Sequence, residues 1–105
     1  MDYNSRKWKR KREVVLKLHE YLCQESKRFG KRVQATTVHH IYPAEFYPEI
    51  AWENWNLLPL TDANHNAMHD RDTHEITELG RYWQRKRQTE FERFYASPPP
   101  SEEIL

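Results

Sequence analysis

Large apolar side chains recur at helical spacing near the start of the chain, at four positions: Trp8, Val15, Leu18 and Leu22. Repeats of three, four and seven residues place such side chains on one stripe of an α-helix. Asn4 or Ser5 ahead of the stripe is a residue type that caps helix N-termini. The pattern predicts a first helix over residues 5–26, ending before Gly30.

A different pattern follows, because residues 32–41 are rich in β-branched side chains and predict a strand. This strand carries two adjacent histidines, His39 and His40, whose side chains point to opposite faces of the strand. Residues 55–60, "WNLLPL", predict a second short strand. Pro59 restricts that strand to the edge of a sheet or ends it early.

Helical spacing returns after the second strand, where Thr61 or Asp62 can cap a helix. His65, Met68 and His69 lie at i, i+3 and i+4 and would share the inner face of this helix. A last helix is expected over residues 73–95, although a glycine near its middle weakens the pattern. Its inward positions would be Ile76, Leu79, Trp83 and Phe94.

The chain length of 105 residues allows one small domain with a thin core. We assign that domain to residues 1–95 and expect an unpacked tail over the Pro-rich residues 96–105. Only 37% of residues are hydrophobic, yet there are four Trp, six Tyr and four Phe. Large rings therefore supply much of the core, and a bound metal would help the domain to hold together.

Positive charge is concentrated in the first helix, where residues 6–12 read "RKWKRKR". A polyanion such as DNA could bind this run by releasing counterions, while the alternative interpretation is a solvated helix face. The candidate phosphate contacts here are Lys9, Arg10, Lys11 and Arg12. Arg71 is a fifth candidate, and it could equally cap the end of a helix.

Cys23 is the only cysteine, which excludes an intramolecular disulfide and suits a reducing compartment. No apolar run approaches the roughly 20 residues that span a bilayer. The N-terminal residues also lack the apolar segment of a secretory signal. We therefore expect a soluble, cytoplasmic protein without a membrane partner.

A candidate metal site begins with His65 and His69, since an H-x-x-x-H pair on a helix places two imidazoles one turn apart. Such pairs are more often a packed or solvated helix face. His39 on the first strand supplies a possible third ligand. Three neutral imidazoles suit a transition metal and leave positions open for water and substrate, as in catalytic sites.

If His39 faces the metal, His40 faces away from it and could take a proton from an attacking water. Asn56 could hold the second strand to the loop through side chain to backbone hydrogen bonds and so orient His40. An ordinary turn asparagine is the alternative. Asn54 and Asn64 compete for the same role.

The order His39-His40, Asn56, His65 and His69 resembles the HNH endonucleases of the ββα-metal superfamily. The resemblance covers residues 38–71, and "VHHIYPAEFYPE" and "NHNAMHDR" are similar to small standalone HNH proteins of phages and mobile elements. The resemblance implies an α+β fold, namely a ββα-metal finger with a flanking N-terminal helix and a C-terminal helix.

The resemblance also implies site roles: His39, His65 and His69 as metal ligands, His40 as general base and Asn56 as the orienting residue. The implied reaction is hydrolysis of DNA phosphodiester bonds with one divalent ion (Zn, Ni, Mn or Mg), leaving 5′-phosphate and 3′-hydroxyl ends. DNA is the implied partner, with phage packaging or restriction machinery in a bacterial or phage-infected cell. The alternative is a non-catalytic, metal-containing DNA-binding module, which would have no need of His40.

Many similar proteins hold their elements together with a structural zinc on two C-x-x-C pairs. Those positions fall here on Cys23, Ser26, Thr61 and Asn64. Three of them are not thiolates, so we expect no structural zinc and a buried, apolar role for Cys23. Aromatic packing would take its place, from Trp8, Tyr21, Trp55 and Trp83. His19 and His74 are expected to be ordinary surface or helix-start residues.

Overall fold

The computed structural model describes residues 1–96 of the chain. Its helices are α1 (Arg6–Leu18), α2 (Gln24–Arg28), α3 (Asp62–Asn66), α4 (Glu78–Lys86) and α5 (Gln88–Ala96), and its strands are β1 (Thr37–His40) and β2 (Leu57–Leu60). Two 3₁₀ turns, Pro48–Ile50 and Asn54–Asn56, lie between the strands. This mixture of a strand pair and helices confirms the α+β class.

The two strands form an antiparallel pair at the centre of the fold, in which His39 lies opposite Leu58 and His40 opposite Leu57. Both strands are almost entirely buried. Pro59 is accommodated because each strand of a two-stranded sheet is an edge. The helix α3 follows the strand pair and packs against it, so His39 and His40 of β1 lie next to this helix.

The first helix begins as expected, because the Ser5 hydroxyl accepts the Trp8 N–H at 3.1 Å. It ends at Leu18 and not at residue 26, since Glu20 and Tyr21 adopt left-handed backbone conformations. Tyr21 then accepts the Ala35 N–H at 2.8 Å. This pairing uses residues that had been assigned to the first strand, so β1 is shorter than predicted. Leu18, expected inside, is 61% exposed.

The histidine-bearing helix is also shorter than predicted, because α3 ends at Asn66. His69 instead forms an isolated antiparallel bridge with Ile76. Thr77 closes this hairpin, since its hydroxyl donates to Ala67 O at 2.7 Å and its N–H to Met68 O at 2.9 Å. These bonds satisfy carbonyls at the end of α3 and stop the helix there.

The last helix, predicted over residues 73–95, is two helices that break at Arg87 and start at Glu78. The break changes the inward positions: Phe91 stacks on Tyr42 with ring centroids 4.3 Å apart, while Phe94 is exposed. Ala96 belongs to α5 and not to the tail. The rest of the predicted tail, residues 97–105, lies outside the described residues.

Large rings supply part of the core as expected: Trp8 and Trp83 are buried, and Trp55 packs against the main cluster. Tyr21 does not join them, because it is 38% exposed and donates its hydroxyl hydrogen to Glu13. The main cluster joins the sheet to α4 through Leu58, Leu60, Met68 and Trp83. A second cluster joins the sheet to α1.

Polar side chains meet at the positions compared above with a structural zinc site. The Asn64 amide donates to Cys23 Sγ at 3.2 Å and to Ser26 Oγ at 3.5 Å. Cys23 is buried as expected, but it is a hydrogen-bond acceptor and not merely an apolar residue. Burial raises the pKa of the Cys23 thiol, and hydrogen bonds from Ser26 and Asn64 reverse this, leaving the pKa lowered.

None of the helices within residues 1–96 combines the length and apolar character needed to cross a bilayer.

Gly80 provides a test of the packing between the hairpin and α4. A Cβ placed there would lie 2.7 Å from the backbone oxygen of Met68 and would also clash with Ile76 Cγ1. Alanine gains about 1 kcal/mol of helix propensity, but overpacking against backbone costs about 1–3 kcal/mol. We expect Gly80→Ala to lose about 1 kcal/mol of unfolding free energy in urea denaturation.

The matched control is Arg81→Ala, an exposed neighbour in α4 that should change stability by less than about 0.5 kcal/mol. A Gly80→Ala protein that is as stable as the parent would contradict the close packing of Gly80 against Met68 and Ile76.

Candidate active site

A cavity of about 880 Å³ is lined by five histidines, four of which are the candidate site residues His39, His40, His65 and His69. The strand β1 supplies the first two, and the α3 region supplies the other two. Because neighbouring strand residues face opposite ways, His39 and His40 reach different parts of the cavity wall. The structure therefore brings together all the histidines that the sequence singled out.

His39 lies at the centre of the histidine group, with ring centroids 5.3 Å from His65 and 5.9 Å from His69. It is 4% exposed, and its Nε2 has no hydrogen-bond partner within residues 1–96. Burial, and then the neighbouring His65 and His69, lower the pKa of His39 to about 3. The ring is therefore neutral at pH 7 and carries a lone pair, as a metal ligand must.

His65 and His69 reach His39 from different local structures, since α3 ends between them. His65 is exposed on α3, and His69 is half-buried in the bridge to Ile76. Within the described range 1–96, no three His, Cys, Asp or Glu side chains are already gathered as a metal-binding set. Imidazoles that share a tetrahedral ion have ring centres about 5 Å apart, close to the two separations seen here.

His40 faces Trp8 of α1, with the rings stacked at 5.3 Å and 24°. Its Nε2 lies 3.0 Å from the carbonyl oxygen of Ala51. A carbonyl only accepts, so Nε2 carries the proton and Nδ1 keeps its lone pair. Burial lowers the pKa of His40, and the hydrogen bond to Ala51 partly opposes this. His40 is thus a neutral imidazole held in one tautomer.

Asn56 is fully buried in the 3₁₀ turn directly before β2 and joins that strand to the preceding loop. Its amide nitrogen donates to Tyr42 O and Ile50 O, both at 3.1 Å, and its oxygen accepts the Tyr42 N–H at 2.7 Å. Ile50 directly precedes Ala51, the partner of His40. Asn56 is therefore linked to the Ala51 partner of His40 through the loop, whereas Asn54 is exposed and Asn64 contacts Cys23.

The basic helix α1 packs next to the site, because its Trp8 stacks on His40. Arg12 lines the cavity and donates from Nη2 to Thr36 O at 3.0 Å. Lys9 and Arg10 are exposed on the same helix, and Lys11 is half-buried. Arg71 is exposed in the hairpin after α3, so it does not end a helix.

The cavity is also lined by residues that sequence reasoning did not select, among them Tyr3, Phe46 and His74. His74 was expected at the start of the last helix. It lies instead in the hairpin between His69 and Ile76, with a φ of +63°. The turn-forming residues of "HDRDTHE" were the available signal, since Asp and Thr favour turns over helix interiors. Glu45 of the loop also lines the cavity.

Comparison with known proteins gives one informative match. The chain is similar to the crystal structure of the HNH endonuclease of the deep-sea thermophilic bacteriophage GVE2 with manganese ion, at 38% identity. The match covers 61% of this chain and 70% of that chain, with a TM-score of 0.58. No protein-family model and no curated protein matches the sequence.

The match agrees with the ββα arrangement of β1, β2 and α3, which the resemblance to the HNH endonucleases had implied. At this identity and coverage the likeness extends beyond the fold to the family. The chain belongs to the HNH endonuclease family and is a nuclease of that type.

Proposed function

We propose that the chain hydrolyses DNA phosphodiester bonds with a single divalent metal ion and His40 as general base. The observation that carries this proposal is the different state of the two adjacent histidines. His39 holds an unpartnered, buried Nε2 between two more imidazoles. His40 has one nitrogen engaged by a carbonyl and the other free.

The donor set fits a divalent ion held by His39, His65 and His69. A buried ring nitrogen without a hydrogen bond loses the stabilisation that water gave it, and a metal ion would restore a partner. When bound, the ion supplies Lewis-acid stabilisation of the charge on the phosphate and the leaving 3′ oxygen. The similar phage enzyme contains manganese, which favours a metal of the group Zn, Ni, Mn and Mg without selecting one for this chain.

His40 is suited to accept a proton from the water that attacks the phosphodiester. Burial keeps the imidazole neutral, which a base requires. Stacking on Trp8 and the hydrogen bond to Ala51 fix the direction of the Nδ1 lone pair. Proton transfer to Nδ1 would leave a positively charged His40 ring that still donates from Nε2 to Ala51 O. The proposed reaction leaves 5′-phosphate and 3′-hydroxyl ends.

Asn56 is proposed as a positioning residue for that base. It holds Ile50, and hence the neighbouring carbonyl of Ala51, at the distance that His40 needs. Loss of the amide would leave buried backbone groups of Tyr42 and Ile50 without partners. Each such group costs about 1–3 kcal/mol, so the loop and the His40 ring would both move.

DNA is the proposed partner, approached by the cations of α1 and by Arg71. Lys9 and Arg10 are exposed on the same helix, which reaches the cavity at Arg12. Packaging or restriction machinery, and a cytoplasmic location in a bacterial or phage-infected cell, stay predictions of the resemblance.

The function is tested by adding Mg²⁺, Mn²⁺, Ni²⁺ or Zn²⁺, one at a time, to metal-stripped protein and supercoiled plasmid. We expect at least one ion to convert the supercoiled form to nicked or linear DNA, because the chain supplies both a ligand set and a base. Gel electrophoresis with an EDTA control measures the conversion. Binding of the plasmid without cleavage under every ion would favour the non-catalytic module instead.

Substitutions of the two adjacent histidines should have different effects on metal affinity and on cleavage. His39→Ala removes a proposed ligand and should lower metal affinity and cleavage together. His40→Ala should keep metal affinity nearly intact and slow cleavage by on the order of 10²- to 10⁴-fold, the usual effect of losing a general base. Calorimetric metal titration and plasmid cleavage on the same preparations measure both quantities.

His19→Ala is the matched control, since His19 follows α1 and is not part of the cavity wall. It should change neither quantity. If His40→Ala loses the metal, or if His39→Ala binds metal as the parent does, the assignment of ligand and base is wrong.

The α1 cations should set the salt dependence of DNA binding. Replacing Lys9, Arg10 and Lys11 with Gln should weaken binding and reduce the slope of log K against log salt by about 0.9 for each phosphate that the helix no longer neutralises. Fluorescence anisotropy with a duplex over a range of salt concentrations measures the slope.

A triple change of the exposed cations Lys27, Lys31 and Arg32 to Gln removes the same charge outside α1. It should reduce the slope less than the α1 variant does. Equal slopes for the α1 variant and the parent would show that the basic run is only a solvated helix face.

A further inference from the structure

We propose that His74 binds the DNA backbone, donating a hydrogen bond to a phosphate that flanks the scissile one. The inference rests on the proposed nuclease function, which assigns no role to this residue. His74 lines the same cavity as His39, His65 and His69. It reaches that cavity from the hairpin after α3, on the side of His69.

The hairpin that carries His74 is closely braced by its own hydrogen bonds. The His69–Ile76 bridge closes it, and Asp70 N–H donates to Glu75 O at 2.8 Å. The Asp70 carboxylate accepts the N–H groups of Asp72 and Thr73 at 2.8 and 3.0 Å. The backbone of this short segment is therefore held in one conformation.

His74 itself adopts a backbone conformation that L-residues rarely use. Its φ is +63°, and its N–H donates to Asp70 O at 2.9 Å. Left-handed non-glycine residues cost on the order of 1–3 kcal/mol, and such strain clusters at functional sites. Within residues 1–96 the other non-glycine residues with positive φ are Glu20 and Tyr21, which follow α1 and are not part of the cavity wall. A glycine would adopt this conformation without strain, so the imidazole at position 74 points to a role for the ring.

The placement of the ring favours a phosphate over the metal as its ligand. His39, at the centre of the site, makes its ring contacts with His65 and His69. His74 also lines this cavity, and a DNA strand bound there has phosphates on either side of the bond that is cut. An imidazole N–H donates to an anionic oxygen in either protonation state of the ring. Arg12 lines the same cavity and offers a second donor to the backbone.

The test uses His74→Gly, which removes the ring and relieves the strained backbone, and His74→Asn, which also tolerates a left-handed conformation. We expect both variants to melt no lower than the parent. Their affinity for a duplex, measured by anisotropy in EDTA, should fall roughly tenfold, as expected for losing a hydrogen bond to a charged group. With metal present, KM for DNA should rise more than kcat falls, and calorimetric metal affinity should stay within about twofold.

The matched control is Glu20→Gly, which relieves the same backbone conformation outside the cavity. It should melt no lower than the parent and bind DNA at least as tightly. An undiminished DNA affinity in both His74 variants overturns the proposal. Loss of metal affinity in both variants overturns the proposal and indicates that His74 is a fourth metal ligand. A lowered melting temperature together with loss of DNA affinity in both variants also overturns it, and indicates that His74 has a structural role. A parent protein that binds DNA but does not cleave it overturns the nuclease mechanism, while the duplex affinities still decide the role of His74.

Discussion

The buried amide of Asn56 is the interaction on which the rest of the site depends. Its hydrogen bonds to Tyr42 and Ile50 fold the long connection between the strands back onto β2. The same connection supplies the Ala51 carbonyl that fixes the tautomer of His40. Because the amide is fully buried, water does not compete for these bonds, and losing one would leave a buried polar group without a partner.

Two adjacent imidazoles of the site have different surroundings, and the proposed roles of metal ligand and general base rest on that difference. His39 is almost completely buried among other imidazoles, so its charged form is strongly disfavoured and its lone pair is available. His40 is enclosed by Trp8 and held by a carbonyl, so one nitrogen is committed and the other is free. Strand alternation is the physical reason that neighbours in sequence meet such different environments.

A small chain with few aliphatic residues keeps this site rigid by combining ring packing with buried polar contacts. The Trp83 indole packs in the main core and donates to Glu25 at 3.0 Å, which joins α4 to α2. Glu25 is also paired with Arg28, so its buried carboxylate is satisfied from two sides. Asn64 makes a similar polar connection from α3 to Cys23. These contacts hold the helices that flank the strand pair.

The sequence by itself determined the features that depend on short-range chemistry. The Ser5 cap, the opposite directions of His39 and His40, the edge strand around Pro59 and the HNH spacing all follow from local pattern and the resemblance it carries. Tertiary structure decided where helices stop. Thr77 competes for carbonyls at the end of α3, and Ala35 pairs with Tyr21 after α1, in each case from outside the local repeat. Helical periodicity reports which residues could share a face, but it contains no information about distant partners that take over the backbone hydrogen bonds. His74 lies in the cavity because the His69–Ile76 bridge and the Thr77 hydrogen bonds end α3 and form the hairpin that carries it.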